Sequence, residues 1–412
     1  MSRVVDAFPD SRPSGNRGST ISVQAASHRW LSVGTAHADD DRTAGREATL
    51  RAVTGTDPRL LIVFCAGTPD PEAVLAGIAE VAAGVPLVGC SSVAAIGPGG
   101  PQHAGVIVAA LGGAGFSVAT AVGRDAEAGR WEAGAAAAGC VAGLAEREHH
   151  ILLLLADGQV HDQEKILAGA YGVVGASMPF VGGSASPDPT FGQAFQLFGT
   201  EVVTRGVVGA AIASDGPFGV AVGHGWRKVG EPMIVTHSRN GDVYTINDRP
   251  ARVAYLDRLG APTEAYTDPA AFMDFARTRP IGVRRRNDVE IRDVGSDRWV
   301  SEGWLRSLGE VPEGGVIWLM EGDADSGLTA AGDAARAAVA ALGGQPPLGL
   351  LAFDCVSRRR LLGDERTRAS VSRMLDWSGG APVAGFYTWG EFARVRGLNG
   401  YHNQTLVVLT VG

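Results

Sequence analysis

The sequence predicts an α/β protein: two lobes of layered mixed β-sheet and helices built from repeated strand-helix-strand-strand units. Three observations carry that expectation. Short apolar runs rich in branched residues alternate with helical patterns along the chain. The same order of elements returns three times. The 58 glycines among 412 residues show no collagen-like period and fall between the apolar runs, as sharp strand-to-turn transitions require.

The first unit begins with the strand Leu60–Phe64, ending at Cys65-Ala66-Gly67. A helix over 71–83 follows the cap signal Thr68-Pro69-Asp70, with Val74, Leu75, Ile78 and Val81 on its apolar face. Then come Val85-Pro86-Leu87-Val88-Gly89-Cys90-Ser91-Ser92, a Gly-rich loop and the strand Gly105–Leu111. The second unit repeats this as Ile151–Leu155, a helix over 164–174, Met178-Pro179-Phe180-Val181-Gly182-Gly183-Ser184-Ala185, and Gly206–Ala213. The third runs through Leu348–Phe353, a helix over 365–377, Ala381-Pro382-Val383-Ala384-Gly385-Phe386-Tyr387-Thr388, and Thr405–Val411. In each Pro-apolar-apolar-Gly strand, proline suits the first position, and glycine midway admits a close backbone or a bound molecule.

Residues 218–255 read as the seam. Gly219–Trp226 closes the first lobe as a strand, and the turn Asn240-Gly241 joins strands 231–236 and 242–246. A helix over 249–259 stops at Gly260-Ala261-Pro262. The polar, alternating segment 287–299 suggests more exposed strands. The expected division is a disordered polar tail over 1–24, a first domain over 25–230 and a second over 231–412.

Composition narrows the function. A formal charge of −8 favours neither a nucleic-acid surface nor an anionic-membrane surface. The four cysteines form no CxxC pair and read as free thiols in a reducing, cytoplasmic setting. No apolar stretch is long enough to span a bilayer, and the first residues lack a signal-peptide core. There is no GxSxG, HExxH, Walker loop or metal-spaced cluster, so no metal or cofactor is expected. Asp323-Ala324-Asp325-Ser326-Gly327 begins like a calcium loop but lacks the terminal acid, which favours a helix cap.

The chemistry-bearing residues gather near the end of the chain. Cys355 follows an apolar strand and precedes Ser357-Arg358-Arg359-Arg360, whose charge would lower a thiol pKa. Gly385–Glu391 sets aromatics and a carboxylate at a strand edge, and Gly400–Thr405 is dense in polar side chains. Burying such groups unpaired costs on the order of 1–3 kcal/mol each, so they face water, one another or a ligand.

These motifs resemble the FIST family (F-box and intracellular signal transduction proteins), through both its N-terminal and C-terminal domains. The resemblance rests on Gly89-Cys90-Ser91-Ser92, Asp157-Gly158, Val181–Ala185, Gly206-Val207-Val208, Asn247–Ala251 and Tyr255-Leu256. Phe353–Arg358, Gly385–Glu391 and His402–Thr405 complete it, with Ser357 standing where the family pattern has glycine. It implies an intracellular sensory domain for a small ligand, an amino acid or derivative, with a signalling partner protein and no established chemistry. The expected ligand residues are Cys355, Arg358, Tyr387, Glu391, His402 and Asn403. Arg358 would meet a carboxylate, Glu391 an ammonium group, and Cys355 would line the wall. Two other readings stay open: a cysteine-dependent hydrolase or acyltransferase using Cys355 with His402 as base, and a protein-interaction scaffold.

Overall fold

Leu60–Phe64 and its counterparts are the central strands of a threefold repeat that is longer than the sequence pattern suggests. The computed structural model describes residues 28–68, 70–187, 192–285, 289–294, 303–394 and 400–412; the tail expected over 1–24 lies outside them. The first unit runs β1 (Trp30–Ala36), α1 (Asp41–Ala52), β2 (Pro58–Ala66), α2 (Pro71–Ala82), β3 (Leu87–Ser92), the hairpin β4 (Ala95–Gly97) and β5 (Gly100–Gln102), and β6 (Gly105–Gly112). The second runs β7 (Phe116–Gly123), α3 (Arg130–Ala138), β8 (His149–Asp157), α4 (Gln163–Val174), β9 (Phe180–Ala185), the hairpin β10 (Gln196–Phe198) and β11 (Glu201–Val203), and β12 (Val207–Ser214).

The third unit opens with β13 (Phe218–Gly223) and is interrupted by an inserted segment. That insertion comprises β14 (Arg227–Arg239), β15 (Asp242–Ile246), β16 (Arg249–Pro250), α5 (Ala251–Arg258), α6 (Pro269–Ala276), β17 (Ile281–Arg284), β18 (Val289–Arg292), β19 (Leu305–Arg306) and β20 (Val316–Glu321). The unit resumes with α7 (Ala324–Ala340), β21 (Gly349–Cys355), α8 (Val356–Trp377), β22 (Val383–Thr388), the hairpin β23 (Glu391–Arg394) and β24 (Tyr401–His402), and β25 (Leu406–Val411).

The three sheets share one strand order: β1-β6-β2-β3, β7-β12-β8-β9 and β13-β25-β21-β22. In each the last two strands pair in parallel and the others antiparallel. Each unit then lends its hairpin to another: β4-β5 extends the third sheet at β22, β10-β11 the first at β3, and β23-β24 the second at β9. The exchange closes a ring, and no sheet keeps its β3-type edge unpaired. A single apolar cluster draws Phe64, Leu155, Phe353 and Phe386 from all three inner faces, while the helix pairs cover the outer faces.

Gly89, Gly182 and Gly385 occupy the same register position, beside Val63, Leu154 and Ala352. A Cβ at any of them would fall inside contact distance of that neighbour's carbonyl oxygen, the close approach that the repeated glycine implies. The Asp70 cap and Pro71 start α2 as expected, and a capping box between Asp323 and Ser326 starts α7.

The seam is differently placed. Gly219–Trp226 does not close the first lobe: β13 pairs with the last strand, β25, and so opens the third unit. The boundary expected at 230/231 falls within β14, and the second body is the insertion. Its sheet runs β16-β15-β14-β20-β17-β18 over a core of its own. Among the described residues, no helix is long and apolar enough to cross a membrane.

Candidate functional site

The three parallel strand ends converge. Ser92 Oγ donates to the Tyr387 carbonyl at 2.9 Å, Ser186 Oγ to the same carbonyl at 2.8 Å, and the Ser184 N–H to the Gly390 carbonyl at 2.8 Å. Carboxyl ends of parallel strands are where α/β folds place ligands. Here the third unit brings most of its polar groups together.

Glu391 begins β23 and is fully buried. Thr388 donates to one of its oxygens, and the Thr405 hydroxyl (2.8 Å) and N–H (3.1 Å) donate to the other. Burial outweighs these bonds and pushes the Glu391 carboxyl up to about 8. Asp293, just after β18, approaches from the insertion; it accepts from Ser357 Oγ at 3.0 Å and Gln404 Nε2 at 2.6 Å. Burial raises its carboxyl to about 6. Cys355 ends β21 between these acids: burial first, then the charges of Glu391 and Asp293, hold its thiol well above the ordinary range.

Asn403 and Gln404 are both buried, and Gln404 adopts a left-handed backbone with φ 52°. Among the described residues, Asn403 Oδ1 and Gln404 Oε1 find no hydrogen-bond partner. His402 lies opposite Glu391 in the β23-β24 pair and donates Nε2 to the Ala393 carbonyl at 3.0 Å.

Cys355, Glu391, His402 and Asn403 therefore lie in one region, whereas Arg358 and Tyr387 belong to the other side of the sheet. Tyr387 packs in the helix-facing cluster with Leu350 and Val408. Arg358 is buried, with Nε on Asp354 Oδ1 at 2.7 Å, Nη1 on the His224 carbonyl at 3.3 Å and Nη2 on the Gly327 carbonyl at 3.1 Å. The guanidinium is engaged within the fold and ties the start of α8 to β21 and α7.

Sequence reasoning missed Asp293 and the charges before it. The segment 287–299 read as exposed, yet Glu290 and Arg292 of β18 are buried. They bury because they neutralise each other: Arg292 Nη2 lies 3.1 Å from Glu290 and 2.9 Å from Glu164 of α4, while Arg285 reaches Glu290 at 2.7 Å. Burial would raise the Glu290 carboxyl, but Arg292 and Arg285 hold it below the usual range. Opposite charges two residues apart on one strand face are the signal that was there to read.

Two family models match the chain, the FIST N domain over residues 59–249 and the FIST C domain over 251–394. Their boundary falls in the β15-β16 hairpin, inside the insertion. An uncharacterized protein of Mycobacterium tuberculosis, matched in two strains, is 31% identical over 231 residues, 55% of this chain and 58% of the relative. An uncharacterized protein of Methanocaldococcus jannaschii is 27% identical over 155 residues, 36% of this chain and 30% of the relative. The matched part thus spans little more than half the length of the mycobacterial relatives. Among solved structures, a chorismatase aligns at a TM-score of 0.34 and 12% identity, covering 94% of this chain and 98% of its own. A cyanuric acid hydrolase from A. caulinodans aligns at 0.25 and 16%, covering 45% and 71%. Neither likeness is close enough to bear on function.

Proposed function

This chain belongs to the FIST family, whose domains are associated with signal transduction and ligand sensing, and from that premise we propose that it is a small-ligand sensor for an amino acid or derivative. One observation carries the reading: the third unit buries the Glu391 carboxyl, a thiol and two partnerless amide oxygens at the ends of its parallel strands, and the insertion brings the Asp293 carboxyl against Gln404. Partnerless buried acceptors cost stability unless something completes them. A ligand entering here meets Glu391 and Asp293 as charge partners, Asn403 and Gln404 as acceptors, and Cys355 on the wall. Arg358 serves as a positioning residue, holding α8 against β21.

The cysteine-enzyme reading gains no such support. A nucleophile needs a thiolate, and burial beside two acids keeps Cys355 protonated. The sensor reading is tested by thermal-shift screening of the full chain against a broad metabolite library. A true ligand at a hundred times its Kd raises stability by about 2.7 kcal/mol. A folded protein that no member of the library stabilises would contradict the reading.

A further inference from the structure

The threefold repeat supplies its own control for what this corner is for. Strand register equates Cys355 with Ala66 and Asp157, and Thr388 with Ser92 and Ala185. It equates Thr405, which faces Cys355, with Gly105 and Gly206. Glu391 is equated with Ala95 and Gln196 by the hairpin pairings to Gly183, Phe386 and Cys90. Alanine and glycine thus fill three of these four positions in the first unit, so the fold itself requires neither the carboxyl nor both threonines that hold it; the second unit keeps two polar groups there, Asp157 and Gln196, both buried.

What the third unit adds has one chemical character. Glu391 and Asp293 offer carboxyl oxygens, and each is hydrogen-bonded by uncharged donors: Thr388 and Thr405 for the first, Ser357 and Gln404 for the second. Gln404 gives its amide nitrogen to Asp293, which leaves Oε1 bare beside that carboxyl, and Asn403 Oδ1 is bare as well. The unmet capacity is for hydrogen-bond donors. The neighbouring cations are committed elsewhere: Arg358 to Asp354, and Arg292 and Arg285 to Glu290. Arg360 is exposed, at the rim near Asp293.

We propose that this corner recognises a primary ammonium or guanidinium group and not a carboxylate, so that its ligand is an organic amine rather than an intact amino acid. The inference rests on the corner being a ligand site. A cation with several N–H groups can donate to carboxyl oxygens and to bare amide oxygens alike. Inside the corner a ligand carboxylate would meet two acids, a like-charge encounter, while the guanidinium that is not committed elsewhere, Arg360, stands outside at the exposed rim.

The test is isothermal titration of the full chain with cadaverine, lysine, agmatine, arginine, norleucine and glutarate at pH 6.5 and 8.0. Cadaverine or agmatine is expected to bind at least tenfold more tightly than lysine or arginine, with norleucine and glutarate silent. Amine binding is expected to tighten at pH 8.0 and to release protons, because Glu391 and Asp293 must ionise to receive a cation. The other titratable groups facing Glu391 are Asp354, Cys355, Tyr401 and His402, and those facing Asp293 are Cys355, Tyr255 and Arg360. Glu391→Gln and Asp293→Asn, both close in shape to the native residues, should each remove that residue's share of the proton release and weaken amine binding, and the double variant should abolish the release. Parent amino acids binding as tightly as their amines would overturn the proposal, as would binding of norleucine or glutarate. Silence from the whole panel would overturn the amine class while leaving the ligand-site reading to the metabolite library.

Discussion

At the scale of single residues, the Glu391 carboxyl is fully buried and held by hydroxyl and N–H donors rather than by a guanidinium. Glu391 titrates near 8 in the folded chain because burial penalises its charge, whereas an unfolded glutamate titrates near 4.5. The folded state therefore holds the extra proton between those values, and by linkage its stability falls as pH rises through that window and levels off above it. Asp293, raised to about 6, adds to the fall at the lower end. Glu391→Gln mimics the protonated carboxyl. Urea unfolding from pH 5 to 8 is expected to show a clear loss of stability in the native chain and a shallower one in the variant. Equal slopes would place the titration elsewhere. Arg358 carries the opposite lesson. The sequence marks it as special, and it is, but its partner Asp354 lies four residues back on its own chain. A guanidinium beside a conspicuous motif does not reveal whether the protein has already used it.

Among elements, the Pro-apolar-apolar-Gly strand was the most legible feature. Its three copies are β3, β9 and β22, each paired in parallel with the strand two elements earlier. Its glycine is fixed by the backbone beside it, so Gly385→Ala should cost about 1–3 kcal/mol or more by overpacking. Denaturant titration would check this, and a variant as stable as the native chain would contradict the close approach. The helices were read unevenly, for a physical reason. α2 and α4 bury Val, Leu and Ile and announce themselves. α1 and α3 bury alanines and glycines, Gly45 against Val74 and Gly134 against Ile166, and such small-residue contacts leave little apolar periodicity. Without those two helices, the strands before them and the lent hairpins, the sequence pattern of each unit is three strands and one helix shorter than the fold. The first segment of α8 was missed because Gly363, at φ 69°, breaks the helix and hides its continuity.

For the whole molecule, the repeat explains why residues far apart in sequence share one corner. The ring of lent hairpins puts Glu391 beside Gly183 of the second unit, and the insertion threads Asp293 in from the side. Neither juxtaposition is encoded by local pattern, so the site's C-terminal members were legible while Asp293 was not. β18 also links the corner to the rest of the fold, since Arg292, next to Asp293, binds Glu164 of α4 and the Tyr401 carbonyl at 2.9 Å. We propose the third unit's corner as the place where a small molecule binds. The most direct test is mass spectrometry of small molecules released from gently isolated full chain, native and Glu391→Gln side by side. An amine-bearing compound is expected to approach one per native chain and to be lost from the variant. The same compound retained equally by both, or a bound compound with no basic nitrogen, would contradict the proposal.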